Sequence, residues 1–156
     1  MGTQQILMII LSVIVVGAAV AVAIQQFNTQ QENHEKMAAI ADMLNYAAQA
    51  KAWYQTPTFM GGAGRAARIE NGTSADQYTG ATVRGLVRYL NPSGAYAVSN
   101  IEHPNGRGEY QFQRETSGHA PTTIQITWAV DGKGMWTGAL YMLIDLSTGA
   151  ITMVNN

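Results

Sequence analysis

The three histidines are the residues best suited to bind a metal or move a proton, but their spacing predicts neither role. His34, His103 and His119 are scattered along the chain, without the HExxH motif or any paired spacing. Asp131-Gly132-Lys133-Gly134 resembles the start of a calcium loop, but the later oxygen ligands and terminal Glu are missing. We therefore expect solvated histidines, a tight turn at 131–134 and no bound metal.

A glycine-rich segment has the letters of a dinucleotide-binding motif, in Gly62-Ala63-Gly64-Arg65-Ala66-Ala67. That motif requires a strand before it and a helix that opens on it. Here a helical pattern and Pro57 precede it, so we expect no nucleotide cofactor. The segment is more typical of a flexible surface loop, in which three glycines are predicted to contact a neighbouring subunit: Gly61, Gly62 and Gly64.

Basic residues are too few to predict a broad nucleic-acid surface. The chain has 9 Lys plus Arg against 10 Asp plus Glu, for a formal net charge of −1. Arg65, Arg68, Arg84 and Arg88 are more simply solvated or paired than part of a stripe, so no specific nucleic-acid partner is expected. Asn71-Gly72-Thr73 is a sequon, a common triplet that leaves glycosylation of Asn71 open.

The remaining catalytic chemistries also lack their residues. The chain has no cysteine, which excludes disulfides, thiolate catalysis and cysteine-ligated metals. No nucleophile with a neighbouring base and no paired carboxylates stand out in the sequence. We therefore predict a protein without enzymatic activity and without a cofactor.

The position of the charges is more informative than their number. Residues 1–31 carry no charged side chain, so all 19 charges fall in the following 125 residues. The 19 residues from Ile6 to Ile24 are apolar apart from Ser12 and Gly17. As a helix this run measures roughly 28 Å, close to the hydrocarbon thickness of a bilayer. It is therefore predicted to span a membrane.

A cleaved signal sequence is an alternative interpretation of the same run. Ala21-Val22-Ala23 resembles a cleavage site, but Met1-Gly2-Thr3-Gln4-Gln5 lacks the basic residues of such signals. The run is also longer than the apolar part of an ordinary signal. We therefore expect the segment to be retained.

No proline or glycine interrupts the polar stretch after Ile24, and Pro57 is the first proline of the chain. One helix is therefore predicted from about Thr3 to about Gln55, on the order of 75 to 80 Å long. Its second half carries two neighbouring apolar rows at steps of three and four. We expect helix–sheet contacts from Met37, Ile40, Leu44, Ala47 and Trp53, while the adjoining row contains Met43, Tyr46, Ala50 and again Trp53.

The C-terminal part alternates with period two and is punctuated by turn residues. A short helix is predicted over 79–90, followed by strands over 95–103, 108–116, 122–130, 139–146 and 150–154. The result is an α+β fold, in which a long N-terminal helix covers a four- to five-stranded antiparallel sheet. We divide the chain into an apolar half-helix, 1–31, and a globular domain, 32–156, which comprises the amphipathic half-helix 32–55, the loop and short helix 56–94 and the sheet 95–156.

This architecture resembles the type IV pilins and their relatives over the whole chain. The motif-level similarity is limited to the opening Gly2-Thr3-Gln4-Gln5-Ile6-Leu7-Met8-Ile9-Ile10, to Gly17 and to Gln26-Phe27. The resemblance implies a pilin-like fold and assembly of copies into an extracellular filament by the pilus machinery. Before assembly, the subunit would wait in the cytoplasmic membrane.

Two features depart from the pilin pattern. No Lys or Arg stands before Gly2, where the family has a basic leader, and no acidic residue precedes Glu32, although the family has Glu at the fifth mature position. That position belongs to Gln5 if Met1 is the first mature residue, and to Leu7 if processing follows Gly2. Gln5 accepts hydrogen bonds but cannot neutralise a terminal amine.

A polymer also follows from the residues themselves. Gly17 and Ala21 lie four apart, which allows helices to approach closely in an apolar medium. Outside a bilayer, about 25 cal/mol per Å² of exposed apolar surface favours mutual burial of the helices. We expect the filament core to contain Met1, Gln4, Gln5, Ile6, Leu7, Ile10, Ile14, Gly17, Ala21 and Ile24.

The leading hypothesis is therefore a structural filament subunit at the cell surface. The sequence leaves open whether the filament serves adhesion, motility, DNA uptake or electron transport. The alternative is a single-pass membrane-anchored adaptor or sensor, similar to a pseudopilin, that does not form long fibres.

Overall fold

The computed structural model describes residues 2–72, 81–92, 100–102, 109–115, 118–129 and 140–154, and only the backbone of 100–102. One helix, α1, runs from Gly2–Gln55, in agreement with the predicted boundaries. It continues through the polar stretch because no proline precedes Pro57, and a 3-10 turn, Thr58–Met60, follows. The chain forms two compact units, Met1–Ala38 and Ala39–Asn156, so α1 contributes residues to both.

Five strands form one antiparallel sheet in sequence order, which confirms the predicted α+β fold. Across the sheet, Phe112 pairs with Ile126 and Ile126 with Met142, so the apolar residues of alternate positions share one face. The strands are β1 (Asn100–Glu102), β2 (Glu109–Arg114), β3 (Thr123–Ala129), β4 (Leu140–Asp145) and β5 (Ile151–Val154).

The second helix, α2, spans Val83–Leu90 and is shorter than the predicted 79–90. Thr82 has an extended backbone, and its side-chain oxygen accepts a hydrogen bond from the Gly85 amide at 3.0 Å. This N-cap satisfies an amide that has no partner inside the helix and fixes the start at Val83. The sequence pattern did not distinguish the capping Thr82 from a helical residue.

The core lies between the second half of α1 and one face of the sheet. The Tyr46 ring lies in edge-to-face contact with Tyr110 at 5.2 Å and with Phe112 at 5.7 Å between ring centroids. Helical side chains at steps of three and four supply its α1 wall, since these positions share one face. The buried residues of α1 are Ala39, Met43, Ala47, Ala50, Trp53 and Tyr54.

The predicted row of helix–sheet contacts is therefore wrong at two positions. Met37 is 69% exposed and Leu44 is 45% exposed. Ile40 is partly buried against the core, whereas Ala47 and Trp53 are buried within it. The adjoining row faces the sheet because Tyr46 packs on the aromatic rings of β2.

Several predictions concern positions outside the described residues. These are the filament-core role of Met1, the solvated state of His103, the start of the short helix at 79–80, the first strand over 95–99 and at residue 103, the strand ends at residues 108, 116, 130 and 139, and the turn at 131–134.

Candidate assembly surface

The unit Met1–Ala38 carries a continuous apolar surface on α1. Every large apolar side chain from Ile6 to Ile24 is between 52% and 75% exposed. The predicted filament-core residues Gln4, Gln5, Gly17 and Ala21 are exposed as well. Ile6, Leu7, Ile10, Ile14 and Ile24 belong to the same exposed surface.

Ser12 does not interrupt this surface chemically. Its hydroxyl donates to the Met8 carbonyl at 2.7 Å and also lies 3.0 Å from the Ile9 carbonyl. A polar group moved into an apolar medium is costly unless it is hydrogen-bonded. Because the Ser12 hydroxyl is hydrogen-bonded within its own helix, the segment can enter lipid or a bundle of helices without leaving this hydroxyl unsatisfied.

Gly17 leaves a gap in the side-chain surface. A Cβ atom built at Gly17 would meet no atom within 4 Å, apart from the helix's own backbone. A larger residue is therefore accommodated in the single chain. If a side chain at this position is not tolerated, the cause must therefore be a contact with another molecule. Gly17 and Ala21 occupy successive turns of one face, where small residues allow a second helix to approach closely.

Within the described residues, α1 is the helix that is long and apolar enough to cross a membrane. None of its apolar window is buried in the chain, which distinguishes it from the core helix of a globular domain. A signal sequence near an N-terminus also meets this criterion of length and composition.

The glycine-rich loop is attached to the end of α1 by hydrogen bonds. The Ala63 amide donates to the Trp53 carbonyl at 3.1 Å, and the Gly64 amide donates to the Thr56 carbonyl at 2.9 Å. The Trp53 indole N–H donates to the Gly61 carbonyl at 3.1 Å. The two amides thus bond to carbonyl groups at and just beyond the end of α1, and the indole bond holds the loop from the helix side.

The three glycines predicted to contact a neighbour have distinct positions in this loop. Gly61 is exposed and has a φ of 83°, a left-handed conformation that glycine adopts without steric cost. Gly62 is buried, and a Cβ atom there would overlap the backbone of Thr56. Gly64 is exposed.

Two exposed apolar side chains of this loop were missed by the sequence analysis. Phe59 is 85% exposed and Met60 is 64% exposed, on the 3-10 turn that the glycines hold against the helix end. Their sequence signal is the placement of two large apolar residues between Pro57 and Gly61, where turn residues are usually polar.

The buried titratable groups tie structural elements together. The Tyr110 hydroxyl donates to the Asp42 carboxylate at 3.0 Å, which joins β2 to α1. Burial, together with this hydrogen bond, raises the pKa of Tyr110 well above its ordinary value of 10.0. Burial also raises the pKa of Tyr46, with a smaller contribution from the negative charge of Asp42.

Asp145 is the acceptor of a hydroxyl-rich turn between β4 and β5. Its carboxylate accepts from the hydroxyl groups of Thr122 at 2.6 Å, Ser147 at 2.8 Å and Thr148 at 2.8 Å, and from the Ser147 amide at 3.0 Å. Burial opposes its ionisation, but these hydrogen bonds outweigh burial and lower the pKa of Asp145 to about 2. The arrangement holds a turn.

Metal-binding side chains do not form a site in the described part of the chain. Among the described residues there is no group of three or more His, Asp or Glu side chains placed to hold a metal ion. His34 and His119 are exposed. Two arginines, Arg68 and Arg114, share the Glu70 carboxylate. Asn71, the first residue of the sequon, accepts a hydrogen bond through its side-chain oxygen from the Arg114 backbone amide at 2.7 Å.

No protein-family model, curated protein or solved structure matches this chain.

Proposed function

We propose that this protein is the structural subunit of a helical filament at the cell surface, of the type IV pilin kind. The apolar half of α1 forms the filament core, and the globular unit forms the outer wall. Before assembly the same segment anchors the subunit in the cytoplasmic membrane, where the pilus assembly machinery takes it up. The subunit has no enzymatic role.

The observation that supports this proposal is that the apolar run is exposed along its whole length in the single chain. The run from Ile6 to Ile24 covers about five turns of helix, and none of its apolar window is buried. Apolar surface of this extent requires a covering of lipid or protein. Copies of the same helix provide a covering that remains available after the subunit leaves the membrane.

Helix continuity also supports a structural role. The element that carries the apolar surface, α1, also supplies one wall of the globular core through Met43, Ala47 and Trp53. A detachable targeting signal has no need to share a helix with the core of the mature domain.

The alternative is a membrane-anchored adaptor or sensor that stays in the bilayer. The length of the apolar run favours it, since roughly 28 Å matches the hydrocarbon layer that such an anchor must cross. In this alternative, lipid alone covers Ile6 to Ile24, and close approach at Gly17 has no role.

Gly17→Leu tests the filament directly. Leucine fits in the single chain because no neighbouring atom lies within 4 Å of the added Cβ, and it favours a helix by roughly 1 kcal/mol over glycine. Membrane insertion should therefore be retained, while close packing between copies is lost. The measurement is electron microscopy of sheared cell-surface material, with mass spectrometry to identify the fibre protein and membrane fractionation to follow insertion.

Val16→Leu is the matched control, since it enlarges a side chain in the same run without filling the gap at Gly17. We expect abundant fibres from the wild type and Val16→Leu, and loss of fibres from Gly17→Leu. Unchanged fibres from Gly17→Leu would remove the close-packing argument. Detergent-soluble monomers without fibres from the wild type would favour the anchor.

A further inference from the structure

The seven residues that follow the apolar run continue α1 without any charge. They are Gln25-Gln26-Phe27-Asn28-Thr29-Gln30-Gln31, and five of them carry side-chain amides. All seven are exposed in the single chain. The Thr29 hydroxyl donates a hydrogen bond to the Gln25 carbonyl at 3.0 Å. The five side-chain amides are then the polar groups through which the segment can bind a partner.

This composition suits neither water nor lipid well. A helix that is polar on every side in water is usually stabilised by pairs of opposite charges four residues apart. Such a pair appears only after the segment, with Glu32 and Lys36. Amide side chains are also costly in hydrocarbon unless they are hydrogen-bonded. The segment therefore fits a surrounding of protein.

The partner that fits is a second copy of the same segment. In a polymer of identical chains, any charge in the packed region faces its own copies, and like charges repel strongly where water is excluded. An amide instead carries a donor and an acceptor, so it pairs with an identical amide. The absence of charge from residues 25–31 and the abundance of amides are both explained by this pairing.

The amides are also distributed around the helix. Successive residues advance by about 100° in an α-helix, so the five amides point to all sides rather than to one face. A single dimer partner would use one face only. Neighbours on several sides are what a helical polymer supplies.

We propose that Gln25–Gln31 is a homotypic amide interface, in which these side chains hydrogen-bond to the same segment of neighbouring copies. This inference rests on the proposed filament and deepens it, because it extends the protein-covered part of α1 by roughly 10 Å beyond Ile24. The solvated part of the helix begins at Glu32.

Replacing amides with carboxylates of the same shape tests the interface. Gln26 and Gln30 lie on one face, four residues apart, so the double variant Gln26→Glu/Gln30→Glu adds two charges to every copy. At pH 7 we expect fibre yield to fall by about tenfold or more, since each added charge faces its copies. Below about pH 4 the glutamates are protonated and donate again, so fibres should recover.

Gln55→Glu is the matched control, because Gln55 is an exposed residue of the same helix at its other end. Its fibre yield at pH 7 should equal that of the wild type. If Gln26→Glu/Gln30→Glu gave as many fibres as the wild type at pH 7, the proposal would be overturned.

Thiol crosslinking separates this inference from the filament itself. The chain contains no cysteine, so Gln30→Cys and Gln55→Cys each introduce one unique thiol. Oxidation of sheared fibres and of membranes that contain Gln30→Cys should give covalent dimers, with far fewer from Gln55→Cys. If wild-type chains form no fibres but the Gln30→Cys variant forms dimers, the filament proposal fails and the amide interface stands. If Gln30→Cys gives no dimers, the interface fails whether or not fibres form.

Discussion

At Gly62, the addition of a single methyl group is expected to destabilise the fold strongly. The Gly62 backbone is outside the left-handed region, so the demand for glycine is steric: a Cβ atom would overlap Thr56 backbone atoms at the end of α1. Gly62→Ala should lower the free energy of unfolding by roughly 3 kcal/mol, at the upper end of overpacking effects. This loss is measured by thermal unfolding in detergent with tryptophan fluorescence as the readout, since all three tryptophans lie in 39–156.

Gly118→Ala is the control for the Gly62 variant. Gly118 has a φ of 73° and open space around the added Cβ, so alanine meets only the conformational cost of about 1 kcal/mol. A smaller loss from Gly62→Ala than from Gly118→Ala would contradict the tight contact between the loop and the helix end.

Asp145 makes stability depend on pH in a defined acid range. The pKa of Asp145 is lowered from 3.8 to about 2 in the folded chain, so its hydrogen bonds contribute fully above about pH 4 and are lost as the pH falls towards 2. Asp145→Asn should cost about 1–2 kcal/mol at pH 7, since the turn is partly exposed. The difference between wild type and variant in thermal unfolding should shrink steadily from pH 4 to pH 2.

Glu32→Gln serves as the control for this pH dependence. Glu32 is exposed and belongs to the unit Met1–Ala38, so its replacement should leave unfolding of the tryptophan-containing unit unchanged. A difference between wild type and Asp145→Asn that stays constant down to pH 2 would show that the turn does not depend on the carboxylate charge.

At the scale of elements, the contact between α1 and β2 combines aromatic packing with one hydrogen bond to a carboxylate. Tyr110→Phe removes the 3.0 Å bond to Asp42 and keeps the ring against Tyr46. We expect a loss of about 1–2 kcal/mol at pH 7, measured by the same thermal unfolding. Tyr89→Phe, at an exposed position of α2, should change stability by less than about 0.5 kcal/mol.

The same contact predicts sensitivity to alkali. The pKa of Tyr110 is raised in the folded chain, so above pH 10 the unfolded chain releases a proton that the folded chain retains. Wild-type stability should therefore fall as the pH rises above 10, and the fall should be smaller in Tyr110→Phe. Equal slopes for the two proteins would contradict preferential stabilisation of the neutral phenol.

The sequence was sufficient to predict the elements but not which row of α1 faces the sheet. The five strands and the single long helix follow from period-two alternation and from the lack of proline before Pro57. Two apolar rows on α1 have equal spacing, and the choice between them depends on Tyr46 meeting Tyr110 and Phe112 from a distant strand. Local patterns contain no information on that partner.

The glycine loop could also be predicted only in part from the sequence. Its composition predicts a surface turn, but its attachment depends on the Trp53 indole reaching Gly61 and on Gly62 lying against Thr56. The exposed apolar run of α1 is the opposite case. Its composition alone predicts its extent, because no packing inside the chain selects one of its faces.

At the scale of the whole molecule, the buried core and the exposed apolar run consist of different residues. Among the described residues, the hydrophobic core extends from Ala39 to Leu146 and includes none before Ala39. All charged residues lie from Glu32 onwards. The part of the chain needed to fold is therefore also the part suited to water.

A chain that begins at Glu32, with residues 1–31 removed, tests this division. It keeps the whole core cluster and all 19 charges, so we expect a soluble monomer with the near-ultraviolet circular dichroism of the full chain. The full chain should require detergent or assemble, because its apolar run stays uncovered in water. Size-exclusion chromatography without detergent measures the difference. A truncated chain that is unfolded would show that residues 1–31 contribute to the fold, and a truncated chain that still forms fibres would place the assembly contacts in the globular unit.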